Sequence, residues 1–408
     1  MRRQVADVEL RRILRLVSAR SLNSFGRQIL NTTVGWELWK RTDSKLVLAA
    51  VGFAQVIPVV MLFVPAGTLV DRSDRRSLAT IAATMTGMIG LALAFASALT
   101  APVSLYFLLL LAQGCATAIH APAVSSLIPL IIARDQLVRT NRISASLQEL
   151  AVIIGPLLAG FALDFVPASR VYAALAITGL AAGALYRSLP KARAIAAPEP
   201  NARKDWRVGL RFIFRSPLLL PALTLDMFAV LFAGVTALLP VIASDVLHIK
   251  AFGFGVLRAA QSAGAITMAL IGGRMRPWRR PGRVLLIVVA LFGLATVGFG
   301  LSTSFPLSLA LLFLCGALDN VSVVIRLTTE QMVVPDAIRG RVSAVHFVFI
   351  GMSNELGATE SGLAAYFLGT VPAIVAGGAA AVIVVGIVAL KWRELARMPP
   401  LSELQPGE

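Results

Sequence analysis

Charge is scarce in this chain. Only 14% of its 408 residues are Asp, Glu, Lys or Arg, where a soluble globular domain carries about 25%. That shortage excludes an ordinary soluble fold and implies an integral membrane protein. Histidine is scarcer still. His120, His248 and His346 are far apart, which gives no metal-ligand spacing and disfavours a metal enzyme. The two cysteines, Cys115 and Cys315, both fall inside apolar runs, so packing explains them better than a disulfide or a metal site. The opening stretch MRRQVADVELRRILRLVSAR is basic and amphipathic, without the apolar segment of a cleavable signal peptide. No Gly-x-x-x-x-Gly-Lys-Ser/Thr sequence occurs, so ATP drive is not expected. No cofactor and no catalytic constellation are expected either.

Apolar residues are what the chain has in plenty, at 57%. A spanning helix needs roughly 20 of them in a row, and runs such as Val375–Leu390 are too continuous for barrel strands, which alternate. The pattern predicts twelve spans: 19–41, 46–70, 77–99, 103–131, 140–165, 169–189, 217–246, 252–273, 282–302, 305–333, 340–367 and 370–392. Thirty of the 38 Lys and Arg residues flank one side of these spans, and only Lys40, Arg41, Lys45, Arg170 and Lys250 flank the other. Basic loops stay in the cytoplasm, so both termini are expected there. The net charge of +17 is spread over many short loops, which speaks for topology and against a nucleic-acid partner. The expected surroundings are a lipid bilayer, and the expected state a monomer.

The expected organisation is a basic N-terminus (1–18), a six-helix half (19–189), a linker rich in Pro and charge (190–216), a second six-helix half (217–392) and a tail (393–408). A weak parallel repeat supports the two halves. Arg142-Ile143-Ser144-Ala145 and Arg341-Val342-Ser343-Ala344 open the fifth and eleventh spans, and Gly114-Cys115 is echoed by Cys315-Gly316. Parallel repeats of this kind occur in transporters.

Within the spans, Glu37, Glu149, Asp226, Arg258, Asp319, Arg326, Glu355 and Glu360 are costly in hydrocarbon. They should face the interior, a partner or water. At 1.5 Å rise per residue, Glu149, Asp319, Asn320, Asn354 and Glu355 fall near mid-span. Asp226 lies nearer the cytoplasmic end of its span, and Glu37 and Arg258 lie toward the outer face. Asp319 and Arg326 are seven apart on one helical face, placed to pair partly or to bracket a cavity. The functional reading is a site for a polar or charged small molecule in which one carboxylate exchanges protons. The structural reading is interhelical ion pairing.

The loop Gly67–Leu78, GTLVDRSDRRSL, resembles the Gly-x-Leu-x-Asp-Arg-x-Gly-Arg-Arg signature of major facilitator superfamily transporters, with Asp74 in place of the second Gly. Gly67 is expected to let the end of the second span approach a neighbour closely. Asp71 is expected to complement the positive N-terminus of the eleventh span; the resemblance implies that this contact latches the cytoplasmic side. Arg72, Arg75 and Arg76 would pair across the loop or fix topology. Gly155-Pro156-Leu157-Leu158-Ala159-Gly160 resembles the Gly-Pro-x-x-Gly motif of the superfamily's antiporters; there proline kinks the helix and glycine permits close contact. The fourth span has Gln113-Gly114 of the Arg-x-x-Gln-Gly motif, but Leu110 stands at the Arg position, which puts the mode of proton coupling in doubt. The strings at 225–247, 257–265, 316–345 and 353–362 resemble the enterobactin-exporter-like branch, although Gln261 stands where relatives commonly have Pro.

The resemblance implies an all-α membrane protein of twelve helices in two pseudo-symmetric halves, placed in the bacterial inner membrane. It implies a secondary exporter of siderophore-like or drug-like molecules, working by alternating access with protons as the coupling ion. An uptake permease is the alternative within transport, and a non-transporting membrane sensor the alternative outside it.

Overall fold

The computed structural model describes the backbone of residues 2–133, 136–191, 206–272 and 278–405, and the side chains within these except 2–8, 63, 64, 71, 138, 206, 336, 337, 340, 344, 347, 348, 350–352 and 355. Among the described residues it is all-helical: α1 (Arg2–Thr42), α2 (Lys45–Arg72), α3 (Arg75–Ala98), α4 (Val103–Ile131), α5 (Leu137–Phe165), α6 (Ala168–Arg187), α7 (Trp206–Arg215), α8 (Leu219–Ala233), α9 (Leu239–Val241), α10 (Ala251–Gly272), α11 (Pro281–Leu301), α12 (Phe305–Val333), α13 (Asp336–Leu368), α14 (Thr370–Lys391) and α15 (Arg393–Ala396). Ten helical stretches among them are long and apolar enough to cross a bilayer. The two remaining long helices, α1 with 41 residues and α13 with 33, have the length but carry polar residues, among them Arg27 and Glu37 on α1 and His346 and Glu360 on α13.

Local chemistry sets many of the boundaries. Pro102 and Pro167 sit at the caps of α4 and α6, and Pro281 opens α11, where its missing N–H is not needed. Gly369, between α13 and α14, has φ +90°, a conformation that side chains disfavour. Asp74, the departure from the superfamily signature, is the N-cap of α3. Its carboxylate accepts from the Ser77 backbone N–H at 3.3 Å and from the Ser77 hydroxyl at 2.6 Å, satisfying a donor the helix start leaves open.

Two differences from the sequence reading concern helix continuity. The basic N-terminus belongs to one unbroken α1. The seventh expected span, 217–246, is interrupted. α8 stops at Gly234, whose ψ of 90° leaves the helical region. A 3-10 turn (Val235–Leu238), α9 with Pro240, and a π turn (Ile242–Val246) follow. The Ser361 hydroxyl donates to the Gly234 carbonyl at 3.0 Å, which satisfies a backbone acceptor near the break.

The chain forms two compact units. Unit 1 comprises residues 1–43, 53–197 and 249–259; unit 2 comprises 44–52, 198–248 and 260–408. Inside unit 1, α3 and α6 meet through Gly87 and Gly179, and inside unit 2, α11 and α14 meet through Gly293 and Gly378. The glycine echo noticed in the sequence also has a packing cause. A Cβ on Gly114 of α4 would sit 2.7 Å from the Gln55 carbonyl of α2, and one on Gly316 of α12 would run into the Gln261 carbonyl of α10. Both positions are places where backbones touch, which larger residues forbid.

Candidate functional site

In unit 2, α12 carries Asp319, Ser322 and Arg326 at spacings of three and four, so they share one face. α8 brings Asp226 against that face. Asp226 and Arg326 form an ion pair, with the carboxylate side chain 10% exposed and the guanidinium 3%. Arg326 also donates from Nε to the Ser322 carbonyl at 3.3 Å. Beside the pair is a small cavity lined by Asp226, Asp319 and Ser322 together with Val230, Phe292 and Leu318. Measured at the centre of a water-sized sphere it is about 10 Å³, room for roughly one water. Two carboxylates face it for one guanidinium. Spacing left Asp319 and Arg326 to pair partly or to bracket a cavity; Asp319 lines the cavity, and the direct ion pair of Arg326 is with Asp226. A neighbouring helix can place a carboxylate against the guanidinium, while the helical rise holds residues seven apart about 10 Å from each other.

A second buried pair was not singled out from the sequence. Glu330 of α12 and His346 of α13, 5% and 3% exposed, are in direct contact through Oε2 and Nδ1. The Ser343 hydroxyl donates to Glu330 Oε1 at 2.5 Å. The available signal was that Glu330 stands inside the expected span 305–333, one turn beyond Arg326. His346 gave none by itself, because its partner lies on another helix.

Unit 1 treats its charge differently. Glu37 of α1 accepts at Oε1 from the Ser97 hydroxyl at 2.7 Å and from the Tyr106 hydroxyl at 3.0 Å. Arg41, one turn on, lies 3.7 Å from the same oxygen and donates to the Tyr106 hydroxyl at 2.8 Å and the Ala101 carbonyl at 2.7 Å. The network joins the ends of α1, α3 and α4. Gln113 of α4 donates to Thr86 of α3 at 3.2 Å, and Leu110, at the superfamily's Arg position, is fully buried.

The remaining candidates are dispersed. Glu149 on α5 and Asn354 on α13 are exposed; Arg258 on α10, Asn320 on α12 and Glu360 on α13 are half-buried. The side chains of Glu355 and Asp71 lie outside the described residues. A Cβ on Gly67 would meet nothing within 4 Å among the described residues, and the side chains at the start of α13 where its close approach is expected lie in part outside them. Arg72 is exposed and Arg75 buried. Arg76 lies 3.7 Å from Asp74 and donates to the carbonyls of Arg187 at 3.2 Å and Leu189 at 3.0 Å, where a cation complements the end of α6.

Gly155, Pro156 and Gly160 are buried in α5. A Cβ on Gly155 would meet Gln28 of α1, and one on Gly160 would lie 2.5 Å from the Ala251 carbonyl of α10. The contact is mutual, since a Cβ on Gly255 of α10 would press on the Pro156 carbonyl. At the same crossing Asp164 accepts from the backbone N–H groups of Ala251 at 2.9 Å and Phe252 at 3.3 Å. A carboxylate thus caps the start of α10, a role that spacing within α5 did not reveal.

The transmembrane secretion effector family matches residues 10–403. The enterobactin exporter EntS of Citrobacter koseri is 27% identical over 350 residues, 83% of this chain and 82% of that protein. EntS of Escherichia coli O139:H28 is 28% identical over 286 residues, 68% and 67% of the two chains. Among solved structures, a bacterial homolog of the human lysosomal transporter Spinster, inward-facing and unoccupied, superposes with a TM-score of 0.72 at 15% identity, over 94% of this chain and 96% of that one. A D-xylose-proton symporter superposes at 0.71 and 12% identity, over 97% and 99%.

Proposed function

We infer that this chain, which belongs to the transmembrane secretion effector family of the major facilitator superfamily, exports a siderophore-like or drug-like small molecule in exchange for protons. The chain is a multi-pass membrane protein and a secondary transporter, not an enzyme. The proposal places it in the inner membrane with both termini in the cytoplasm, on the strength of the Lys and Arg asymmetry. Its likeness to enterobactin exporters supports the direction and the class of cargo.

The observation that carries the proton-coupled reading is the charge balance beside the unit 2 cavity. Asp226 and Asp319 both line the cavity, and the one guanidinium beside it, that of Arg326, is paired with Asp226. Fully ionised, the group holds one uncompensated negative charge in a medium where such charge is expensive. One proton on Asp319 brings it to neutrality, and so does a cationic group of the cargo. Proton and cargo then compete for one carboxylate, which is what an exchange of one for the other requires. Binding of either biases the alternating-access equilibrium only through its differential affinity for the two states.

The test is transport by purified protein in vesicles with an imposed pH gradient, using enterobactin, a macrolide and a cationic dye as probes. The expected result is gradient-driven movement of at least one of them in the export direction. No movement of any probe by folded protein sinks the reading, and movement in the opposite sense assigns uptake instead.

A further inference from the structure

We propose that Glu330 and His346 form a second proton-exchanging site, separate from the Asp226–Arg326–Asp319 group, which clasps α12 to α13. The two side chains are among the most buried titratable groups of unit 2 and touch through Oε2 and Nδ1. Ser343 occupies the other carboxylate oxygen, so Glu330 is held in one orientation. The remaining ring nitrogen, His346 Nε2, is buried with no hydrogen-bond partner among the described residues. An imidazole with Nδ1 against a carboxylate has one place left for a proton, and that place is Nε2.

Charged groups lie on the elements packed around the pair. Arg326, one turn away on α12, is taken by Asp226 of α8, and Asp319 lies two turns beyond it at the cavity. α7, packed against α13, presents Arg207, Arg211 and Arg215. α13 itself adds Arg339 and Arg341 near its start, and Arg339 donates to the carbonyls of Gln331 and Val334. On the remaining packed elements the charged groups are Arg283 of α11, Lys391 of α14 and Glu403 in the 3-10 turn Leu401–Glu403. With Nε2 protonated the contact is an ion pair of zero net charge. Loss of that proton leaves neutral imidazole donating from Nδ1 to a carboxylate, with net charge −1 in a buried place. Release of the proton therefore weakens the α12–α13 clasp, and uptake tightens it. The inference rests on the proton-coupled reading only for the use made of the proton, not for its exchange.

With three histidines in the chain, carbon-13-histidine NMR of the full-length protein in nanodiscs resolves them, and His346→Gln assigns the relevant signal. The expected result is a His346 signal that changes with pH, and a change that differs in Glu330→Gln. Should Glu330→Gln fail to fold, Glu330→Asp moves the carboxylate by one methylene and serves the same purpose. A His346 signal constant from about pH 5 to 9, or a titration indifferent to Glu330, overturns the proposal. Enterobactin efflux driven by a pH gradient should fall about tenfold or more in the Glu330→Gln/His346→Gln double variant, the scale of losing a positioned proton-transfer group, while enterobactin exchange at equal pH stays within a factor of about two. Equal loss of both overturns the link to transport. A wild type that moves no enterobactin but keeps the titration removes the cargo reading and leaves the site.

Discussion

The two units share a frame and differ in what they bury. In each, one helix pair meets through facing glycines, Gly87 with Gly179 in unit 1 and Gly293 with Gly378 in unit 2, and one glycine seats a helix on a neighbour's backbone, Gly114 and Gly316. Within that frame unit 1 keeps Glu37 near a helix end, tied by Ser97, Tyr106 and Arg41. Unit 2 buries two contacts between titratable side chains along α12, Asp226–Arg326 and Glu330–His346. A network of hydroxyls and an ion pair converging on one carboxylate oxygen restrains the helices that carry them. A buried group with an unbalanced proton count can take two charge states. On the proton-coupled reading proposed above, the contrast gives the first unit a supporting role and the second the proton-linked chemistry.

The sharpest way to break that contrast is Arg326→Ala. It leaves Asp226 buried and unpaired, and should cost about 3–5 kcal/mol, read as a lowered midpoint in thermal unfolding of the solubilised protein. Arg41→Ala in unit 1 removes an ion pair that retains solvent access and should cost about 1 kcal/mol or less. Equal losses from the two would erase the distinction. The glycine frame should respond alike in both units. Gly160→Ala and Gly316→Ala force a methyl onto a backbone carbonyl and should each cost about 1–3 kcal/mol by the same measurement. A neutral Gly160 variant would mean that α5 and α10 can move apart at that crossing without cost.

Smaller effects sharpen the comparison. Asp74→Ala removes the N-cap of α3 and should cost about 1 kcal/mol, with transport retained once the protein is inserted. Asp319→Asn keeps the shape of a side chain that has no direct charge partner, so its effect on stability should be the smallest, under about 1 kcal/mol. Its effect on transport should be selective: gradient-driven efflux loses its dependence on pH while exchange at equal pH persists. An unchanged pH profile would make Asp319 a packing residue and move the proton chemistry to Glu330 and His346.

Much of the architecture was legible before any coordinates, because apolar run length is a local property. The fourth and tenth spans were expected at 103–131 and 305–333, and α4 and α12 cover those residues. Asp74 was visible as a departure from the superfamily signature, but its role was not, since a cap is defined by the backbone N–H it meets. The break at Gly234 was missed because the run around it stays apolar, and hydropathy does not register one residue leaving helical geometry.

By itself, then, the chain's sequence determined a multi-pass helical membrane protein with an internal repeat and a shortlist of costly charges. Each of these follows from composition, spacing and bilayer thickness. Only the tertiary structure decided which charges are partners. Arg326 joins Asp226 from another helix rather than Asp319 on its own, Glu330 finds His346, and Asp164 caps the start of α10. The physical reason is that a pairing depends on how far each helix is rotated and where it crosses its neighbour. Those quantities are set by glycine contacts and side-chain volumes summed over whole helices, and no short stretch of sequence contains them.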